Sequence, residues 1–458
     1  MVSKTKIIIL APCIAVLSYF LLSFIGLEDK PAITAAITLL TIIWWVTEAL
    51  PIPATSIVPF ALFPLFGILD DKAVASALGS HVILLLMGAF MLSKAIEKSN
   101  THQRLALYMV RLAGTSSAKR LVMGFMLASA VLSMWISNTA TTLIMLPIAI
   151  AILSHTDNPR LTTALILGIA YAASVGGIGT PIGTPPNAIF MAIYEEYTGS
   201  EFGFYEWMKL GVPVVLVVIP IVALWLTRNV KLENEIVLPQ LGQWREEEKR
   251  TLYVFGFAAV AWITRTQPFG GWSDWFNVPM AGDSTVALFA VVLMFLIPNG
   301  KGDKLLDWQS AVDIPWGMLL LFAGGIAIAK AFGASGLSEL LGQWLTSLAN
   351  LPALLMILTI CLTVTYLTEI TSNTATATLL MPILAAAAIS AGLEPSVFMI
   401  PAAMVASCAF MLPVATAPNA IAYATGKVTI QRMVKEGAVL SFVVSCIVGL
   451  LCYLLLLK

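Results

Sequence analysis

Apolar runs of about 20 residues recur from one end of this sequence to the other, the length an α-helix needs to cross a bilayer core of about 30 Å. Only 11% of the 458 residues are charged, and mean hydropathy is +0.92. A soluble domain of this length would carry about 25% charged residues. The sequence therefore predicts an all-α polytopic membrane protein. The first run, 7–25, is too long for a cleaved signal and no small-residue cleavage site follows it, so it reads as a retained span.

Net charge is zero, which gives no reason to expect a nucleic-acid partner. The five cysteines (Cys13, Cys361, Cys408, Cys446 and Cys452) sit in apolar runs without metal-ligand spacing and read as small core residues. His81, His102 and His155 are scattered near span ends. Most tryptophans, among them Trp44, Trp45, Trp272 and Trp275, read as an interfacial belt.

Spans are expected near 6–26, 31–49, 54–69, 80–97, 163–193, 211–228, 251–265, 284–297, 315–332, 396–424 and 436–457. Two further apolar segments, 121–154 and 352–391, are too long for one span and tight for two. Each reads as a re-entrant hairpin, since arms of about 15 residues reach about 22 Å. With the N-terminus in the cytoplasm and the C-terminus outside, most basic residues fall inside, among them Lys4, Lys98, Arg104, Arg160, Arg228, Lys231 and Lys435. Acidic loops with Asp70, Asp71, Glu195, Glu196, Glu201 and Glu206 fall outside, as the positive-inside rule expects.

Three blocks recur in order. LLLMGAFMLSKA at 84–95 resembles LLFAGGIAIAKA at 320–331, which pairs Lys94 with Lys330. SNTAT at 137–141 returns at 372–376, and GTPPNAI at 183–189 resembles ATAPNAI at 415–421. Collinear matches at nearly one offset indicate a duplication. An odd number of spans separates each block from its partner, so the halves are inverted. Inverted repeats with interrupted helices near mid-membrane are the architecture of secondary transporters. The third block places Gly, Thr and Pro inside a span, and such broken backbone survives in a membrane only where it is buried or lines a cavity.

A hairpin tip of Ser, Asn and Thr presents a helix N-terminus, whose free N–H groups and partial positive charge suit a carboxylate. Its oxygens suit a small hard cation. Two facing tips could hold both ends of a dianion. Neither cluster contains an arginine, so either bound cations offset the substrate's charge or the substrate is not a dianion. Helix capping is the plainer reading of one such cluster, and it is compatible with binding. Glu369, three residues before Ser372, is placed to orient the second tip; Glu48 lies beside a Pro51–Pro53 turn and fits an interface; Lys94 and Lys330 read as snorkelling.

The doubled SNT, each followed by a PNAI-type break, resembles the divalent anion/sodium symporter family of di- and tricarboxylate carriers, over nearly the whole chain. The resemblance implies about 11 transmembrane helices and two re-entrant hairpins per subunit, in a homodimeric, elevator-type carrier. It implies scaffold segments at 1–112 and 249–345 and transport segments at 118–231 and 350–458. Substrate would be held by Ser137, Asn138, Thr139, Thr184, Ser372, Asn373, Thr374 and Thr416. A first sodium ion would meet Ser133, Ser137, Asn138 and the Gly183 backbone, and a second Thr368, the Thr371 backbone, Asn373 and the Ala415 backbone. Ala417 departs from the family pattern, which has proline there; its counterpart is Pro185.

The residues together with this resemblance imply a sodium-coupled importer of C4-dicarboxylates such as succinate, malate and fumarate in the cell inner membrane, with no organic cofactor. The alternatives are a sodium-independent exchanger of the same fold, or a citrate or sulfate carrier. Neither HExxH nor GxSxG occurs, and no enzyme is expected.

Overall fold

A computed structural model describes residues 4–114, 116–153, 158–230, 242–267, 269–345 and 352–457. His155, Lys231 and the segment limits at 1, 231, 350 and 458 lie outside the described residues. The described chain is helical nearly throughout. α1 (Lys4–Phe24) and α2 (Asp29–Thr47) form an antiparallel pair. The expected span at 54–69 is instead two short helices, α3 (Ile52–Thr55) and α4 (Val58–Leu65). Prolines at their starts and at Pro64 explain why no single long helix forms there. α5 (Asp71–Leu78) leads into the long α6 (His81–Ser99), and α7 (Thr101–Ala113) follows as an amphipathic helix.

The first SNT segment folds as a helical hairpin, α8 (Ala118–Ser133) and α9 (Asn138–Leu153), with the turn at 134–137. Each arm has 16 residues. At 1.5 Å per residue that is about 24 Å, short of the bilayer core. The expected span at 163–193 is divided into α10 (Pro159–Gly176) and α11 (Pro185–Thr198), with a 3₁₀ turn at Gly177–Gly179 and irregular backbone to Thr184. α12 (Phe204–Thr227) closes this half.

The second half repeats the plan. α13 (Glu246–Ile263), the short α14 (Gly271–Trp275), α15 (Asp283–Leu296) and α16 (Trp308–Val312) precede α17 (Trp316–Ser335), the counterpart of α6. α18 (Leu337–Leu345) follows α17 as α7 follows α6. The second hairpin is α19 (Ala353–Thr368) and α20 (Asn373–Ser390). The second broken span is α21 (Ser396–Ala406) and α22 (Ala417–Ala424), and α23 (Ile430–Leu456) ends the chain.

Eight described helices are long and apolar enough to cross a membrane. Burial grades across them. α10 is almost wholly enclosed, while α1 presents most of its apolar surface outward, as a helix facing lipid would. Glycine allows the tightest approaches around α10. A Cβ on Gly176 would lie 2.4 Å from Ala130 of α8, so hairpin and broken helix touch backbone to backbone.

Several readings need correction. Trp45 is not interfacial: it is buried, and its indole donates to Ser56 Oγ at 3.1 Å. Cys13 is exposed, on the outward face of α1, rather than in a core. Glu48 needs no such correction: it is an exposed left-handed residue (φ 47°) that ends α2 just before the Pro51–Pro53 turn.

Candidate substrate and cation site

The chain is packed so that both hairpin tips and both helix breaks meet in one cavity of about 460 Å³. All eight residues expected to hold substrate line it: Ser137, Asn138, Thr139 and Thr184 from the first half, Ser372, Asn373, Thr374 and Thr416 from the second. α9 begins at Asn138 and α20 at Asn373, so two helix N-termini point into the cavity, where the macrodipole favours negative charge. Ser137 also caps its helix, accepting from Ala140 N at 3.1 Å.

The first expected cation site is a cluster of oxygens. The carboxamide end of Asn138 lies 2.6 Å from Ser133 Oγ, 3.1 Å from the Gly183 carbonyl and 3.2 Å from the Ala173 carbonyl. Turned one way, the amide nitrogen has all three as acceptors within reach of its two hydrogens. Turned the other way, the amide oxygen accepts from the Ser133 hydroxyl at 2.6 Å and faces the two carbonyls, four oxygens that would suit a small cation. Ser137, one residue before the amide, is exposed to the cavity.

The second half repeats the key contact. Thr368 Oγ1 donates to Asn373 Oδ1 at 2.8 Å and also lies 3.0 Å from the Ala406 carbonyl. Ala415 lines the cavity. The Thr371 hydroxyl turns away, to the Leu367 carbonyl at 2.8 Å and the Thr376 hydroxyl at 2.6 Å, which leaves its main chain as the group available to an ion.

The breaks are held by the asparagines of the PNAI blocks. Asn187 Nδ2 donates to the carbonyls of Gly177 and Thr180, and Asn419 Nδ2 to those of Ala409 and Leu412. Each replaces helical hydrogen bonds that the irregular backbone gave up. Helix α22 starts without the proline expected at 417 because Pro418 occupies its first turn and Thr416 Oγ1 accepts from Asn419 N at 3.2 Å.

Glu369 does not reach the second tip. It is buried, and its carboxylate accepts the main-chain N–H groups of Phe410, Met411 and Leu412 and the Ser441 hydroxyl. It therefore clamps the second break from behind. The matching position in the first half is Met134, whose carbonyl accepts from Thr180 Oγ1. Sequence reasoning also missed Ser407, whose hydroxyl lies 3.1 Å from that of Thr184, joining the two halves at the cavity wall.

Lys94 does more than snorkel. It lines the cavity with Glu97, its ammonium 2.9 Å from that carboxylate, and the exposed Asp313 lies on the same wall. The cavity thus opens at the end of α6 and the start of α17.

A family profile described as citrate transporter (CitMHS) matches residues 42–396. The chain belongs to this transporter family. Among curated relatives, the sodium-dependent dicarboxylate transporter SdcS of Staphylococcus saprophyticus is 40% identical, covering 98% of this chain and 90% of that protein. The protein of the same name from Staphylococcus aureus is 38% identical, covering 97% and 90%. These matches bear out the resemblance to the divalent anion/sodium symporters. The fold is also similar to the crystal structure of the Alcanivorax borkumensis YdaH transporter, at a TM-score of 0.57 and 14% identity, covering 92% of this chain and 98% of that one. The chain is an integral membrane transporter, not an enzyme.

Proposed function

We propose that this transporter is a sodium-coupled symporter that imports C4-dicarboxylates such as succinate, malate and fumarate. The observation that carries the reading is the meeting of two SNT tips and two helix breaks in one cavity, with a polar oxygen cluster behind each asparagine. One carboxylate of the substrate meets Ser137, Asn138, Thr139 and Thr184, and the other meets Ser372, Asn373, Thr374 and Thr416. Sodium binds first at Ser133, Ser137, Asn138 and Gly183, and at Thr368, Thr371, Asn373 and Ala415. Its charge offsets the dianion, and its ligation turns each asparagine carbonyl inward, which orders the tips.

The hairpins, broken helices, α12 and α23 (118–231 and 350–458) form the moving unit, and 1–112 and 249–345 form the scaffold. The loaded unit crosses as an elevator within a homodimer in the cell inner membrane, with the N-terminus cytoplasmic and the C-terminus outside. The charge distribution favours that orientation, and on it the cavity opens to the cytoplasm. The names of the SdcS relatives favour sodium and dicarboxylate, and the family description makes citrate the competitor to include.

The deciding experiment is uptake of labelled succinate into proteoliposomes with an inward sodium gradient, with potassium in its place, with excess unlabelled citrate outside, and with succinate inside. Uptake that requires sodium and is not displaced by citrate is the expected result. Uptake that ignores sodium and needs internal dicarboxylate would make the protein an exchanger.

A further inference from the structure

Lys94 and Lys330 occupy matching positions of the inverted repeat but stand in unequal circumstances. Lys94 is at the open end of the site cavity and pairs within its own helix, with Glu97. Lys330 is near the far end of α17, on the opposite face, where α17 meets α11. Its ammonium lies 2.6 Å from the carboxylate of Glu196, on the last turns of α11. Two neighbours fasten the same turns: His81 Nδ1 lies 3.3 Å from Glu195, and the Tyr197 hydroxyl lies 2.8 Å from that of Ser338. A second cavity of about 460 Å³ lies beside this pair, rimmed by Glu196, Tyr197, Gly333, Ser338 and Ile389. The face that is closed to the substrate site therefore carries a vestibule walled by the carboxylates of Glu196 and Glu339, and the Lys330 ammonium joins it through its bond to Glu196.

We propose that Lys330 is the first contact for a substrate carboxylate arriving from this face, and that Glu196 masks it here by presenting a carboxylate of its own. The proposal rests on the dicarboxylate transport reading given above. Lys330 and Glu196 are partly exposed, so neither is locked by burial, and the lysine stem is flexible enough to follow a new anion. When the end of α11 withdraws, the ammonium loses its partner at the mouth of the opened path. An unpaired cation there raises the local concentration of a dianion. Lys94 is its counterpart on the other face, meeting the substrate as it leaves.

The test is initial-rate succinate uptake against substrate concentration, in whole cells for one face and inverted vesicles for the other. Lys330→Gln should raise KM from the Glu196 face about 3- to 10-fold, as expected for one poorly screened charge, with kcat within about twofold. The difference should shrink at high ionic strength. Lys330→Arg should retain the wild-type KM, and Glu196→Gln should lower it. An unchanged KM in Lys330→Gln would overturn the proposal. So would a shift in the same direction in Lys330→Gln and Glu196→Gln, because the ion pair would then matter only as a fastening. Absence of uptake by the unmodified protein would remove the transport reading itself, and this proposal with it.

Discussion

Asn187 and Asn419, 232 residues apart, hold the two helix breaks through the same pair of bonds. Each sends its two amide hydrogens to carbonyls ten and seven residues upstream, at 2.8–2.9 Å in the first half and 3.0–3.1 Å in the second. Both side chains are fully buried. Their role is to satisfy the backbone that the unwinding leaves without helical partners.

Replacing either asparagine with alanine should therefore remove the donor to the buried Gly177 or Ala409 carbonyl, while Thr180 and Leu412 keep the main-chain donors Gly183 and Ala415, and destabilise the protein by about 1–3 kcal/mol. Thermal unfolding of purified protein in detergent checks this. A melting temperature equal to wild type in both variants would mean that water replaces the amide and that the clamp is dispensable.

Asn138→Ala and Asn373→Ala should raise the sodium concentration needed for half-maximal uptake, and Ser133→Ala and Thr368→Ala should do so less severely. The reasoning is that each asparagine contributes to an oxygen cluster while the hydroxyl beside it is one of several. Sodium titration of succinate uptake is the readout. A change confined to succinate KM, with sodium dependence intact, would place these residues in the substrate site alone.

Glu369→Gln should disturb the second break and spare the first. Glutamine keeps one acceptor oxygen but turns an NH₂ group towards donors that the carboxylate had accepted. Loss of about 1–3 kcal/mol in stability is expected from buried donors left unsatisfied. Cysteine-accessibility labelling near 410–412 and near 178–180 would separate the halves: equal changes in both would contradict a local clamp.

Two glycines mark where long helices press on the breaks. A Cβ on Gly437 would sit 2.3 Å from the Phe410 carbonyl oxygen, and one on Gly211 would sit 2.4 Å from that of Ile178. Alanine at either site should lower stability by about 1–3 kcal/mol through forced backbone displacement. Gly256→Ala is the control, since open space surrounds that position. Similar melting temperatures for all three variants would refute the close-approach argument.

The parts of this architecture legible from sequence are those that duplication wrote twice. SNTAT recurs with its own downstream break, so repetition alone pairs the tips and the interruptions. The eight substrate candidates reach one cavity because each pair inherits the same place in its half. What escaped was set by packing between segments remote in sequence. Ser407 gave no signal, since its partner Thr184 lies 223 residues away. Glu369 looked like a neighbour of Ser372, yet its carboxylate points to a loop 41 residues on. Residue type alone places Trp45 at the interface, whereas a polar partner at the end of α3, Ser56, lets it be buried. Lys94 seemed a helix-end lysine until the fold put that helix end at the cavity mouth.

The bond between Thr184 and Ser407 also limits how far the two halves remain copies. Its mirror image would join Thr416 to the position equivalent to Ser407, which is Val175 and has no hydroxyl to offer. Thr416 instead spends its oxygen on capping its own helix. On the proposed function, a head-to-tail symmetric molecule such as succinate would enter a chamber whose two ends are chemically unlike, and its two carboxylates would become distinguishable on binding. Malate, with a hydroxyl on one side only, would then settle in one preferred direction, and NMR of malate labelled at a single carboxyl carbon would report which end it chose.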